Sequence, residues 1–568
     1  MFKINVKLAN ILNHNLNNLF KGANMDFLMD YQSNILKYVQ SAAFDKRKLL
    51  LLYMATGTGK TLTSLSCASA LLAQGKAKRI VILSPKSIQE EFMKQFTKFC
   101  TIIDPTNENA EKQQLLSLLR SKIISICYNS GRTYSYFKAL KQFDDTIYII
   151  DEAHLFLRAI MKHQIPDNQM EAIARIHSSS ADNDFSNTGQ CQKIYNIFKT
   201  LRRSYFLFLT GTPSAKTPFE TVPMFNLAGA EFPTTIDDFM LTYFNGVEPQ
   251  HVRELKTQLK GIVAYVAGND TLQKLKASPL EVVEVEMTDY QYNQYLEDYQ
   301  QELQEKGYVR HVNKYGWGFG QISSFHAKTF GDSVYVEPKN HKGETDVSAQ
   351  VVDETHAPKI IKMFRDSEKV YGKCCFYFRF VEKGVNTMRR HLENNGYTLA
   401  SLNMDEVFSV PGKRYIVFTG AESIKTKYTY TKFFNSEKNV YGEYIKYIIL
   451  SPAGSVGLNL GAVRYLGIGA VEYNFSAIRQ IMGRCNRLNS HLSLPVADRT
   501  LVNKIYLATK NKKYCKEHVK EMRTWYTRRA PDHEEEFPSI ERCIYQDSLM
   551  DDKVNESFRQ ILQEVSIV

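Results

Sequence analysis

The stretch Met54-Ala55-Thr56-Gly57-Thr58-Gly59-Lys60-Thr61 limits what this chain can fold into more than any other. It follows an apolar run, Leu49 to Tyr53, that reads as a buried strand. It precedes Leu62 to Leu72, an Ala/Ser/Leu-rich run that reads as a helix. A Gly-rich turn between strand and helix is the setting of a phosphate-binding P-loop. Backbone N–H groups of Thr56, Gly57, Thr58 and Gly59 would surround phosphate oxygens, and the helix N-terminus adds a partial positive charge. Lys60 can reach the β- and γ-phosphates, and the Thr61 hydroxyl can ligate Mg²⁺. The strict pattern has Gly where this chain has Met54, while the half T-G-x-G-K-T is intact.

A second element of the same chemistry lies downstream. The apolar run Thr146 to Ile150 leads straight into Asp151-Glu152-Ala153-His154. Hydrolysis of a bound nucleotide needs a carboxylate for the Mg²⁺ shell, which Asp151 can supply, and one to polarise the attacking water, which Glu152 can supply. His154 is placed to relay nucleotide state. Three more apolar runs read as strands: Arg79 to Leu83 before Ser84-Pro85-Lys86-Ser87, Lys122 to Tyr128, and Ser204 to Leu209 before Thr210-Gly211-Thr212-Pro213. With helices between them, the five strands predict a doubly wound parallel sheet with its loops at the carboxyl edge. Lys86 and the helix start beside it can hold a nucleic-acid phosphate, although a plain strand–helix corner explains the same residues. Gln32, shortly before the P-loop, can pair its amide with a donor and an acceptor on adenine.

Residues 237 to 353 are less regular. Glu281 to Met287 alternates polar and apolar except at Val282-Val283, the pattern of a strand with one polar face. Tyr290 to Tyr299 reads as helical, while Ser178 to Gln190 and Lys314 to Gln350 read as loops. A second parallel α/β unit begins near His356, with strands at Lys373 to Phe378, Tyr415 to Phe418, Tyr447 to Leu450 and Arg464 to Ile468. No second P-loop accompanies them, so this unit would close on the first rather than bind a nucleotide of its own. Its most informative stretch is Gln480-Ile481-Met482-Gly483-Arg484-Cys485-Asn486-Arg487. Arg at i and i+3 share one helix face, and planar guanidinium groups suit a γ-phosphate. A basic helix face lying on nucleic acid is the plainer alternative. After an acidic segment, Pro531 to Pro538, the stretch Glu541 to Val568 reads as one or two amphipathic helices.

Composition narrows the partners. The formal net charge is +12, which favours a polyanion. The nine cysteines are dispersed without a C-x-x-C pair, which argues against a zinc ribbon and fits free thiols in a reducing compartment. No apolar run has the length of a membrane span, so no membrane partner is expected. Residues 1 to 26 lack the apolar block of a secretory signal, and with no Arg they make a short appendage the better reading than a transit peptide.

Taken in order, the motifs resemble those of superfamily 2 helicases and translocases over residues 28 to 510: Thr56 to Thr61, Ser84 to Ser87, Asp151 to His154, Thr210 to Pro213, Ser451 to Leu460 and Gln480 to Arg487. Within that superfamily the chain is most similar to viral and plasmid-borne DNA-dependent ATPases related to the poxvirus early transcription factor small subunit and nucleoside triphosphatase I. Leu209 to Pro213, Gly261 to Tyr265, Glu286 to Gln291, Phe378 to Val385 and Gly483 to His491 carry that closer likeness. Arg379 departs from it, standing where relatives often have a small polar residue.

The resemblance implies an α/β protein of two RecA-like parallel-sheet lobes with short N- and C-terminal extensions. The expected divisions are residues 1–26, an N-terminal extension; 27–236, the ATP-binding lobe; 237–355, a bridging region; 356–530, the second lobe; and 531–568, a helical tail. It implies an ATP- and Mg²⁺-dependent DNA helicase or translocase serving transcription or replication. Gln32 would read adenine, Thr56 to Thr61 would hold phosphates, and Thr61 and Asp151 would hold the metal. Lys60, Asp151, Glu152, Gln480, Arg484 and Arg487 would be catalytic, and Ser84, Lys86, Thr210 and Ser451 would touch the nucleic-acid backbone. The implied partners are nucleic acid, with DNA favoured, and RNA polymerase or other transcription subunits; the implied setting is cytoplasmic, in a viral factory, virion or cytoplasmic plasmid system. Two rivals remain: an RNA helicase of the DEAH type, and a non-catalytic nucleotide-gated subunit of a transcription complex. Against the first, Asn486 replaces the second Gly of Gly-Arg-x-Gly-Arg, and Leu488 to Val568 is too short for the long C-terminal array of those helicases.

Overall fold

The computed structural model describes residues 28–55, 58–103, 110–161, 188–214, 217–267, 275–293, 352–452, 458–472, 474–487, 490–509 and 540–568. Expectations for the N-terminal extension, for most of the 178–190 loop, for 294–299 and 314–350, and for the acidic segment 531–538 fall outside those residues, as do Thr56 and Gly57. The chain divides into two compact units, each with its own parallel sheet.

The first unit contains β1 (Leu49–Met54), β2 (Arg79–Ser84), β3 (Ile123–Cys127), β4 (Thr146–Asp151), β5 (Tyr205–Thr210) and β6 (Val263–Val266). Their order across the sheet is β3-β2-β4-β5-β1-β6, with every pair parallel. β1, β4 and β5 are buried throughout, as expected of strands covered on both faces by helices. Because β5 lies between β4 and β1, the carboxyl ends of all three are neighbours: Asp151 pairs with Leu209, and Tyr53 with Thr210. The turns that follow these strands therefore gather at one edge. α1 (Asp30–Val39), α2 (Lys60–Ala73), α3 (Lys86–Ile103), α4 (Ala153–Met161) and α5 (Thr188–Phe198) belong to this unit.

The second unit contains β7 (Lys276–Glu286), β8 (Lys373–Tyr377), β9 (Thr398–Leu399), β10 (Arg414–Phe418), β11 (Tyr447–Leu450), β12 (Val463–Ile468) and β13 (Thr500–Thr509). The order is β9-β10-β11-β8-β12-β13-β7, again all parallel. β7 is one of the two edge strands, and its alternation of Glu and Val from Val283 on fits an element with one solvated face. α6 (Pro358–Glu368) and α7 (Phe475–Cys485) pack in this unit.

These divisions differ from the sequence-based ones. There is no separate bridging body among the described residues of 237–355: β6 completes the first sheet beside β1, and β7 completes the second beside β13. Nor is the C-terminus a separate tail. The helix α8 (Ile540–Glu564) gives its residues up to Asp551 to the second unit and those from Asp552 to the first. In the second unit, Glu541 forms a fully buried pair with Lys359 at 2.7 Å and accepts from the Ala508 N–H. In the first, Phe558 packs edge-on against Phe225 and Phe244, and Ile567 N–H donates to the Val263 carbonyl on β6. Sequence periodicity reports amphipathicity, and that property does not reveal which core a helix covers. Among the described residues no helix is long and apolar enough to cross a membrane.

Candidate active site

The P-loop turn is built around Gly59, the residue before α2, at φ +79°. A Cβ there would stand 2.7 Å from Gln32 Nε2, so both the backbone conformation and the close approach of α1 require glycine. Gln32 is buried. Its Oε1 accepts from the Met29 N–H at 3.0 Å, and its Nε2 donates to Thr63 Oγ1 at 3.1 Å. Tyr31 Oη donates to the Thr58 carbonyl at 2.8 Å. α1 thus braces the turn through two adjacent side chains, only one of which the sequence reading singled out.

Lys60 Nζ donates to the carbonyls of Met54 at 2.8 Å and Ala55 at 3.3 Å, which holds the ammonium across the turn. Met54 takes part through its carbonyl. It is the last residue of β1, with its side chain buried in the core. No left-handed conformation falls on it, so nothing at this position demands the glycine of the strict pattern. Thr61 lies half-buried in the first turn of α2.

Asp151 ends β4 and is buried. Burial, and then the neighbouring Glu152 charge, push its carboxyl up to about 7, while the Glu152 N–H at 2.9 Å and the Lys60 charge oppose them. A carboxylate this poorly compensated favours a cation. Mg²⁺ typically takes one or two protein oxygens and completes its shell with phosphates and water, and Thr61 with Asp151 fit that donor set. Glu152 has φ +46° without being glycine. Such a conformation costs roughly 1–3 kcal/mol and persists only where the surroundings hold it. His154 Nδ1 lies 3.0 Å from Thr210 Oγ1 and 3.4 Å from Glu152 Oε2. Burial holds its pKa below the usual histidine value, so the ring is neutral near pH 7. A residue the sequence reading passed over also enters here: Tyr128 Oη donates to the Asp151 carbonyl at 3.1 Å and the Glu152 carbonyl at 3.0 Å. Its only sequence signal was its place at the end of the third strand.

The residues assigned to the nucleic-acid backbone separate into two kinds. Lys86 is exposed at the start of α3, with its N–H held by Asn129 Oδ1 at 3.1 Å. Ser84, Thr210 and Ser451 are instead buried at strand ends. The hydroxyls of Ser84 and Ser451 have no hydrogen-bond partner among the described residues, and that of Thr210 is engaged by His154 and the Thr212 N–H. Burial of all three means that none offers its side chain to solvent here.

In the second unit, Gln480 is exposed on α7 and Arg484 is half-buried, with Nη1 at 3.5 Å from the Leu458 carbonyl. The expectation of two Arg on one helix face needs correction. α7 ends at Cys485, and its cap Asn486 has φ −119° and ψ 64°, so Arg487 lies beyond the helix. Asn is a weak helix former, and its departure from helical geometry frees Arg487 from the helical spacing. Arg379, the departure from the family pattern, pairs with Glu472 Oε2 at 2.7 Å, and Tyr377 Oη donates to the other oxygen of Glu472 at 2.7 Å.

A family model described as Type III restriction enzyme, res subunit, matches residues 27–215. A termination factor NPH-I homolog of African swine fever virus (isolate Pig/Kenya/KEN-50/1950) is 26% identical, over 91% of this chain and 76% of its own length. A protein of Acanthamoeba polyphaga mimivirus, assigned by name to the ATP-dependent RNA helicases, is 26% identical over 81% of this chain and 78% of its own. A solved SWI2/SNF2 ATPase core from Sulfolobus solfataricus, in complex with duplex DNA, aligns over 88% of this chain and 91% of that chain. Its identity is 16% and its TM-score 0.32, too low to compare the two architectures. The family match and the viral relatives bear out the resemblance read from the motifs.

Proposed function

We infer that this chain, a nucleic-acid-dependent ATPase of the superfamily 2 helicase type, is a DNA translocase that serves transcription of a viral or plasmid genome in the cytoplasm. The observation that carries the ATPase reading is the juxtaposition in the first unit of three strand ends: the turn with Gly59 and Lys60, the acid pair Asp151-Glu152, and Thr210 against His154. The preference for DNA rests on the resemblance of the motifs to viral and plasmid-borne DNA-dependent ATPases; the similarity to a viral termination factor homolog supports the transcription role, and the positive charge supports a polyanionic partner.

In this reading Lys60 exchanges its carbonyl partners for the β- and γ-phosphates of ATP. Thr61 and Asp151 would hold Mg²⁺, which would neutralise phosphate charge when bound. Glu152 orients and deprotonates the attacking water, and His154 senses its state through their contact. Gln32 remains the proposed adenine reader, using the capacity its amide retains beyond its two internal bonds. Gln480, Arg484 and Arg487 are assigned to the γ-phosphate, where a guanidinium stabilises charge that develops during transfer. Lys86 is assigned to a backbone phosphate, which gives weak sequence preference and strong salt dependence. RNA polymerase or another transcription subunit is the proposed protein partner.

Displacement of a third strand from a DNA triplex tests this reading. ATP-dependent displacement from a duplex track, absent with a non-hydrolysable analogue, is the expected result. Displacement only along RNA-containing tracks would return the DEAH-type RNA helicase to first place.

A further inference from the structure

We propose that Tyr128 is a positioning residue that ties the Ser84–Lys86 turn to the backbone of Asp151 and Glu152, so that nucleic acid held at the turn sets the rate at which bound ATP is hydrolysed. The inference rests on the reading of the first unit given above and names a residue that reading does not use.

Tyr128 directly follows β3, and its main chain and side chain face different parts of the site. Its N–H donates to the Ser84 carbonyl at 3.2 Å, and the next residue, Asn129, accepts the Lys86 N–H at 3.1 Å. Two consecutive residues therefore hold both ends of the turn assigned to nucleic acid. The Tyr128 ring is buried and packs edge-on against Phe156 of α4 at 5.7 Å. The hydroxyl at its far end is shared between the carbonyls of Asp151 and Glu152. Those peptides fix the two carboxylates in place, and one of them belongs to the left-handed Glu152. A shift of the turn is transmitted through a rigid aromatic ring to the point where the backbone of the acid pair is under strain.

The plainer explanation is a buried tyrosine that satisfies its hydroxyl on the nearest carbonyl. Tyr148 does this in the same unit, donating to the Phe143 carbonyl at 2.7 Å, and Tyr195 does it with Pro223 at 3.0 Å. Tyr148 contacts neither the turn nor the acid pair through its hydroxyl, which makes Tyr148→Phe the matched control.

The experiment compares the full-length wild type, Tyr128→Phe and Tyr148→Phe by ATP turnover with and without single-stranded and duplex DNA, alongside thermal melting. Tyr128→Phe is expected to keep KM for ATP within about twofold and to lose about tenfold in DNA-stimulated kcat, the value of one hydrogen bond to a strained group. The ratio of stimulated to basal turnover should fall, while Tyr148→Phe keeps the wild-type ratio. An unchanged ratio in Tyr128→Phe overturns the inference. So does an equal loss in Tyr148→Phe, or a parallel loss of kcat, KM and melting temperature in Tyr128→Phe, since each marks a structural role. A wild type whose turnover no nucleic acid alters overturns the functional reading and this inference together.

Discussion

Both units end a parallel sheet in carboxylates, but they compensate them differently. At the end of β4 in the first unit, Asp151 and Glu152 stand side by side, with Lys60 as the compensating charge and the Asp151 carboxyl pushed up to about 7 by burial and its neighbour. In the second unit, Glu472 follows β12 and is already paired with Arg379 and Tyr377, each at 2.7 Å. One edge leaves negative charge for a cation to complete, and the other is complete in itself. Similar sheets can thus carry different chemistry, because a few side chains at the strand ends decide whether a site is left open or closed.

The largest effects should come from breaking the open edge or removing the second-unit arginine proposed to act on its γ-phosphate. Lys60→Ala, Glu152→Gln and Arg487→Ala are each expected to abolish ATP turnover, by about a thousandfold or more in phosphate-release assays. Near-normal turnover in a folded variant would remove that residue from its proposed role. The next effect concerns how the first sheet is completed. Phe558→Ala, which empties the contact of α8 with Phe225 and Phe244, should cost about 3–5 kcal/mol in denaturant unfolding. A loss below 1 kcal/mol would show that the chain's last residues are not part of this core.

The closed edge can be opened deliberately. Arg379→Met leaves Glu472 buried without its cation, and should destabilise the second unit by about 3 kcal/mol. If chemical denaturation finds no such loss, Glu472 is not held by this pair. A smaller effect appears as a pH dependence. Burial lowers Lys373 to about 7 in the folded second unit, against an ordinary value of 10.5. Between those values the unfolded chain binds more protons than the folded one, so this lysine makes stability rise from about pH 7 toward pH 10.5. The slope is at most about 1.4 kcal/mol per pH unit. Lys373→Met should flatten it, as measured by melting between pH 7 and 9.5; an unchanged slope would contradict the burial of a neutral amine.

The same contrast shows what was legible before the structure. The P-loop, the acid pair and the parallel sheets could be read because each joins a continuous apolar strand to a turn whose chemistry allows few residues. Strand β6 was not recognised, because four residues, Val263 to Val266, carry too little periodicity to stand out. Spacing counted through Asn486 puts Arg487 on a helix face, but the helix stops at Cys485. Tyr128 and Glu472 could not be found from spacing. Their partners come from distant segments of the chain, and only the fold brings a tyrosine after β3 to the carbonyls at the end of β4. The buried Ser84, Thr210 and Ser451 carry a related lesson: a motif fixes where a residue falls along a strand, and the tertiary fold decides whether solvent can reach it.

The central claim is that the open edge hydrolyses ATP in response to nucleic acid. ATP turnover by the purified protein, measured without nucleic acid and with single-stranded DNA, duplex DNA or RNA, against Lys60→Ala as the blank, tests it most directly. The account predicts strong stimulation by DNA, little by RNA and none in the blank. Stimulation mainly by RNA would contradict the DNA assignment. ATP binding without turnover on any of these substrates would contradict the central claim and favour a nucleotide-gated subunit of a transcription complex.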